Sequence, residues 1–194
     1  MPEAPIGTER SAPTRGPLRV DSRNPRYFAD ALGRPLLLAG SHTWATLQEA
    51  GIADPPSPFD WRGWLAFMTE YGHNFMRLWN WENARWGSWW EGDYYFEPLP
   101  WARTGPGIAR DGKRKFDLTQ FDEDWFERLR TRVLESRDHG IYVAIMLFQG
   151  WSAGDKPFEP WLANAPVLQG TNPWYGHPFC AENNINGIDG SPPG

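Results

Sequence analysis

Three runs of consecutive apolar residues, each breaking off into polar and aromatic side chains, set the rhythm of this chain. The first, Pro35-Leu36-Leu37-Leu38-Ala39-Gly40, ends in Ser41-His42-Thr43-Trp44. The second, Asn74-Phe75-Met76-Arg77-Leu78, ends in Trp79-Asn80-Trp81-Glu82, and the third, Ile141 to Phe148, ends in Gln149-Gly150-Trp151. Apolar residues at successive positions are what a strand buried on both faces requires. A buried run that turns polar at its end reads as a strand delivering its last residues into a cleft.

Between these runs the period changes to that of a helix. Trp61, Trp64, Leu65, Met68 and Tyr71 form one apolar stripe, with Asp60 or Ser57 to cap its start and Gly72 to take the left-handed position at its end. Phe121, Trp125, Leu129 and Val133, joined by Phe126 and Leu134, form a second, which Gly140 terminates. Ahead of the first run, Leu18-Arg19-Val20 and Arg26 to Ala29 predict short strands, with Asp30 to Arg34 as a turn. Residues 1–16 have no periodicity and read as a disordered leader before one folded domain, 17–194. The connection from Asn80 to Asp117, with Trp86, Trp89, Trp90, Tyr94, Tyr95 and Trp101, reads as a long functional loop. The segment from Ser152 onward reads as another loop, with a weak helical pattern from Trp161 to Val167.

The resulting order is strand, helix, strand, helix, strand, which predicts repeated βα units and a parallel sheet with function gathered at the carboxyl ends of its strands. No glycine-rich phosphate loop follows the first run, so a barrel is favoured over a doubly wound sheet. The fold expected is α/β: a TIM-type (β/α)₈ barrel, here incomplete, with about three βα units behind a short N-terminal hairpin.

Composition narrows the chemistry. Thirteen tryptophans, with 11 Phe and 6 Tyr, stand among 19 prolines and 20 glycines, which implies shaped, aromatic-rich loops. Such loops suit flat, weakly polar ligands, and the C–H faces of sugar rings pack well on indoles. A net charge of −5 offers no basic surface for a phosphate backbone, so nucleic acid is not an expected partner. No segment approaches the ~18 apolar residues of a membrane span, and Met1 to Arg15 lacks the apolar core of a secretory signal. Cys180 is single, which excludes an internal disulfide framework. No His or Cys pair has metal-ligand spacing, Glu91 with Asp93 reads as a solvated turn, and no cofactor is expected.

Four motifs, Asn24-Pro25-Arg26-Tyr27-Phe28, Gly40 to Trp44, Asn74 to Trp79 and Met146 to Trp151, together resemble the amino-terminal half of the cellulase-like, apiosidase-like (β/α)₈ glycoside hydrolases of clan A. The resemblance implies a retaining glycosidase acting on a polysaccharide or oligosaccharide, with one catalytic glutamate after the fourth strand and another at the seventh. A barrel of this type takes about 250 residues. Retaining hydrolysis needs two carboxyl groups ~5 to 5.5 Å apart, which here would lie beyond residue 194. The expectation is therefore a fragment whose catalytic residues are not in this chain. A carbohydrate-binding protein without catalysis, or a fragment inactive by itself, is the alternative.

Nine residues form the expected substrate-binding set: His42, Trp44, Arg77, Trp79, Asn80, Trp81, Glu82, Gln149 and Trp151. The resemblance implies that Arg77 bonds the nucleophilic carboxylate; the alternative is a structural ion pair. His42 is either a donor to a hydroxyl or carboxylate, or a satisfied core histidine. Trp44, Trp79 and Trp151 are either stacking platforms or rim packing. Asn80, Trp81 and Glu82 suit ring hydroxyls, and Glu82 is set aside as a catalytic acid because it has no evident carboxylate partner. Gln149 either reads a hydroxyl or caps its strand. Turn chemistry accounts for Asn183 and Asn184.

Overall fold

A computed structural model describes residues 12–87, 93–154 and 172–191. In chain order the elements are β1 (Arg19–Val20), β2 (Phe28–Ala29), β3 (Pro35–Leu36), β4 (Glu49–Gly51), α1 (Trp61–Glu70), β5 (Phe75–Trp79), β6 (Arg85–Gly87) and β7 (Asp93–Glu97). There follow β8 (Trp101–Ala102), β9 (Asp117–Phe121), α2 (Glu123–Asp138), β10 (Tyr142–Met146) and two 3-10 turns, Pro173–Gly176 and Ala181–Asn183. The chain divides into two compact units. One is built from the N-terminal segment up to Thr43 with Asp60–Leu78 and Arg130–Ile145; the other holds Trp44–Phe59, Trp79–Leu129 and the segment from Met146 onward.

In the first unit β1 and β2 pair antiparallel, as the hairpin pattern predicts, and β3 adds to them antiparallel, although the sequence assigned its run to a parallel main sheet. Its turn is built by Asp30, whose Oδ1 accepts the amides of Leu32 and Arg34, while Gly33 takes the positive φ. Helix α1 begins where the sequence places it: Asp60 Oδ1 accepts the Gly63 amide at 2.9 Å, and Trp61, Leu65 and Met68 are buried. Gly72 and Gly140 both adopt the left-handed conformation just beyond their helices. The Trp61 indole N–H donates to Glu135 Oε2 at 2.6 Å, and the Arg132 guanidinium lies 4.7 Å from the Trp61 ring centroid.

The barrel expectation fails. The described strands make four small sheets, three of them antiparallel, and no closed barrel forms among the described residues. Among the described strands only β5 and β10 pair as a βα unit would require. The Tyr142 amide donates to the Asn74 carbonyl and the Asn80 amide to the Met146 carbonyl, so both residue numbers rise together and the pair is parallel.

The apolar runs explain the failure. Of the first run only Pro35–Leu36 is strand, paired to β2 in the hairpin sheet, and Leu37 is 80% exposed. The rest is tied to Asn74, whose Oδ1 accepts the Ala39 amide, whose Nδ2 donates to the Leu37 carbonyl and whose own amide donates to the Ala39 carbonyl, each at 2.9 Å. Gly40 then passes so close to β5 that a Cβ there would stand 1.6 Å from the Phe75 carbonyl oxygen. In β5 Met76 and Leu78 are buried while Arg77 between them is exposed, the alternation of a strand covered on one face. In the third run Ile145 and Leu147 are exposed, and Phe148 is 77% exposed. Asn74→Ala should cost about 1 to 2 kcal/mol, read from the urea unfolding midpoint, because two side-chain bonds to backbone are lost at a half-buried site.

The second unit contains most of what looked like a long loop. β6, β7, β8 and β9 all lie within it, with β4, β7 and β6 in one antiparallel sheet and β8 with β9 in another. Trp89 and Trp90, and the pattern from Trp161 to Val167, lie outside the described residues. The four-residue apolar repeat of α2 also runs one step too far: Phe121 belongs to β9, and Asp122 Oδ1 accepts the amides of Asp124 and Trp125 as the helix begins. Asn183 and Asn184 are buried and hold their turns, donating to the carbonyls of Tyr175, His177, Pro178 and Ile188. Among the described residues no helix is long and apolar enough to cross a membrane.

Candidate functional site

Of the nine residues predicted to meet substrate, seven come together in the second unit, around Trp81. Its ring stacks on Phe96 with centroids 4.2 Å apart and meets Trp86 at 6.1 Å in a near-parallel pair. Trp44 and Trp151 each stand edge-on to it at 6.1 Å, and Trp79 is tilted against it at 5.9 Å. Trp81 itself is fully enclosed. Its indole N–H donates to the Trp44 carbonyl, and its backbone amide and carbonyl are both bound by the buried amide of Gln48.

The rings at the edge of this cluster are aimed by Gln149. Its Oε1 accepts the indole N–H of Trp79 at 3.3 Å and of Trp151 at 2.9 Å, while its Nε2 donates to Asn83 Oδ1 at 2.7 Å and Ser152 Oγ at 2.9 Å. Two acceptances and two donations saturate a carboxamide. Gln149 therefore positions tryptophans and has no bond left for a hydroxyl. Glu82 does similar work on the backbone: its Oε2 accepts the amides of Gln149 at 2.6 Å and Gly150 at 3.1 Å, which anchors the loop that carries Trp151. Asn80 joins β5 to the end of β10 by donating from Nδ2 to the Leu147 carbonyl at 2.7 Å.

With the Gln149 carboxamide saturated and the Glu82 carboxylate anchoring backbone, indole surface is what the cluster presents outward. Trp44 is 55% and Trp151 40% exposed, and both are backed by the buried Trp81. Single exposed aromatics are ordinary, but two fixed from behind by ring contacts, one of them also held through its indole N–H, form a preorganised surface.

His42 and Arg77 belong to the first unit. Partial burial, and then the nearby Arg77 charge, hold the His42 imidazole below the usual histidine range, so it is neutral at pH 7. Arg77 is exposed on β5.

Three residues that organise the patch escaped the sequence reading: Gln48, Asn83 and Ser152, all buried. Gln48 leaves a trace, as a polar residue directly after the buried Leu47. Asn83 leaves none, since it acquires its role from Gln149 66 residues away, and Ser152, three residues beyond Gln149, reads only as the start of a loop. Among the described residues no group of three His, Cys, Asp or Glu side chains could hold a metal ion. No family model matches the chain, and no curated protein or solved structure matches it either.

Proposed function

We propose that this chain recognises carbohydrate on the exposed indoles of Trp44 and Trp151, and that glycosidic-bond hydrolysis is the reaction such recognition serves. The observation that carries the reading is the saturated Gln149 carboxamide, which locks the Trp151 indole to Trp79 while leaving its surface open. Rigid indole faces take the axial C–H groups of a sugar ring with little loss of side-chain entropy. The likeness of the four motifs to cellulase-like glycosidases supports a glycosidic substrate and says nothing further about the fold. Glu82 is not the acid of that reaction, because its carboxylate anchors two backbone amides.

Affinity electrophoresis of the chain in gels containing soluble plant polysaccharides tests the binding. Retardation by at least one neutral polysaccharide is expected, and Trp151→Ala should weaken it by about tenfold, the value of one well-placed aromatic contact. Mobility unchanged across the panel, or retardation indifferent to both Trp44→Ala and Trp151→Ala, would sink the reading. Far-UV circular dichroism of the variants separates lost binding from lost fold.

A further inference from the structure

We propose that Asn186-Gly187, in the second unit, is a site of spontaneous covalent modification, at which the asparagine loses ammonia to become aspartate or isoaspartate and its segment loses a tie to β9. Asn186 is the one asparagine of the chain that a glycine follows. The reaction joins the backbone nitrogen of the following residue to the side-chain carbonyl carbon. A glycine there, with no Cβ in the path, leaves the approach open.

The geometry around the pair supplies what this reaction needs. The nucleophile is free: Gly187 is exposed, its N–H donates to no group among the described residues, and a Cβ built on it would meet nothing within 4 Å. The electrophile is polarised, because Asn186 Oδ1 accepts the Leu118 amide at 2.7 Å. As the nitrogen adds, negative charge develops on that same oxygen, and a backbone N–H already in place stabilises it. The leaving amide is loosely held, since Nδ2 reaches Asp117 Oδ1 at a long 3.3 Å. Asn183 and Asn184 show the contrast: both are buried, and the Nδ2 of each is held by two or more carbonyls at 2.8 to 3.1 Å.

The chemistry runs in two steps and needs no oxidant or cofactor. The Gly187 nitrogen gives up its proton and bonds to Asn186 Cγ, the Cγ–Nδ2 bond breaks, and Nδ2 leaves as ammonia with that proton, closing a succinimide ring. Water then opens the ring at either carbonyl. Cleavage at Cγ gives aspartate, and cleavage at the backbone carbonyl gives isoaspartate, with one water consumed for each ammonia released.

Either product meets a like charge. Hydrogen bonds, first of them from Thr119, hold the Asp117 carboxyl below the ordinary carboxylate range, so it is ionised at neutral pH. The new carboxylate takes the place of the Nδ2 donor beside Asp117 Oδ1, and repulsion replaces a bond. Isoaspartate also lengthens the main chain by one carbon inside a clamped turn, where the Ile188 amide donates to Asn184 Oδ1 and Asn184 Nδ2 to the Ile188 carbonyl.

Peptide mapping by mass spectrometry tests the assignment, on the folded chain and on a urea-unfolded sample held in the same mildly alkaline buffer. In the folded chain Asn186 should acquire the mass of an acid in place of an amide before any other asparagine does, with aspartate and isoaspartate both present. No conversion at Asn186 in the folded chain, or earlier conversion at another asparagine, overturns the proposal. So does conversion more than about tenfold slower folded than unfolded, a hydrogen bond's worth of added barrier, which would mean that the side-chain bonds protect the site. Asn186→Asp, which fixes one product, should lower the folding equilibrium about fivefold, the scale of one charge contact at an exposed residue, read from its urea midpoint. A midpoint equal to the parent's overturns the loss of the tie to β9.

Discussion

Gln48→Leu should destabilise the protein by roughly 3 to 5 kcal/mol. Gln48 is completely buried. Its Oε1 accepts the Trp81 amide at 2.5 Å, and its Nε2 donates to the Trp81 carbonyl at 3.0 Å and the Pro98 carbonyl at 2.8 Å. Leucine fills nearly the same space, so the substitution opens little cavity and isolates the polar effect. What remains is a buried amide without an acceptor and two carbonyls without a donor, each worth about 1 to 3 kcal/mol when water cannot reach it. Urea unfolding followed by tryptophan fluorescence reads the change. The near-ultraviolet circular dichroism should weaken with it, because Trp81 is the ring against which Trp44, Trp79, Trp86 and Trp151 are set. A variant within 1 kcal/mol of the parent (about fivefold in the folding equilibrium) would mean that ring packing alone holds Trp81.

Acidification should cost about 3 kcal/mol between pH 7.5 and pH 4, and His177 should account for most of it. Burial pushes the His177 imidazole down to about 4, against about 6.5 in an unfolded chain. Between those values the unfolded state binds the proton and the folded state does not, so stability is complete above about pH 6.5 and falls as the pH drops toward 4. The local chemistry agrees: the second proton would have to sit on Nδ1, which already accepts the Phe179 amide. Asp21, Asp30 and Asp117 are held below the ordinary carboxylate range by hydrogen bonds, chiefly from Arg23, Arg34 and Thr119. Their share is lost only below about pH 4, outside this window. Urea midpoints measured across the range should therefore decline in the parent and decline much less in His177→Asn, the remainder coming from His42, whose imidazole is also held below the usual range by burial and by Arg77. An equal decline in both would assign the acid sensitivity elsewhere.

Local structure was legible in the sequence because its causes are local. Asp30 and Gly33 build their turn within five residues, Asp60 caps α1 three residues away, and Gly72 and Gly140 end their helices through their own backbone freedom. The fold class was not legible, because a run of apolar residues specifies no pairing partner. Leu36 to Ala39 and Tyr142 to Phe148 look alike as strings, yet the first is held largely by the side chain of Asn74 and the second forms a parallel pair with β5. Apolar composition also overstated burial: Leu37, Leu147 and Phe148 are exposed.

From the order of its residues alone this chain declares a hairpin, two capped helices and tryptophans at the ends of apolar runs, since each depends on neighbours a few positions apart. Tertiary structure decided how those tryptophans are used. Gln149 is joined to Asn83 and Glu82 across 66 and 67 residues, and those bonds convert apparent sugar-reading groups into the frame that holds Trp151. It also buried Asn80, Trp125 and His177, each with a polar atom that has no partner among the described residues. Hydrogen-bond saturation is a property of three-dimensional neighbours, and no spacing along the chain encodes it.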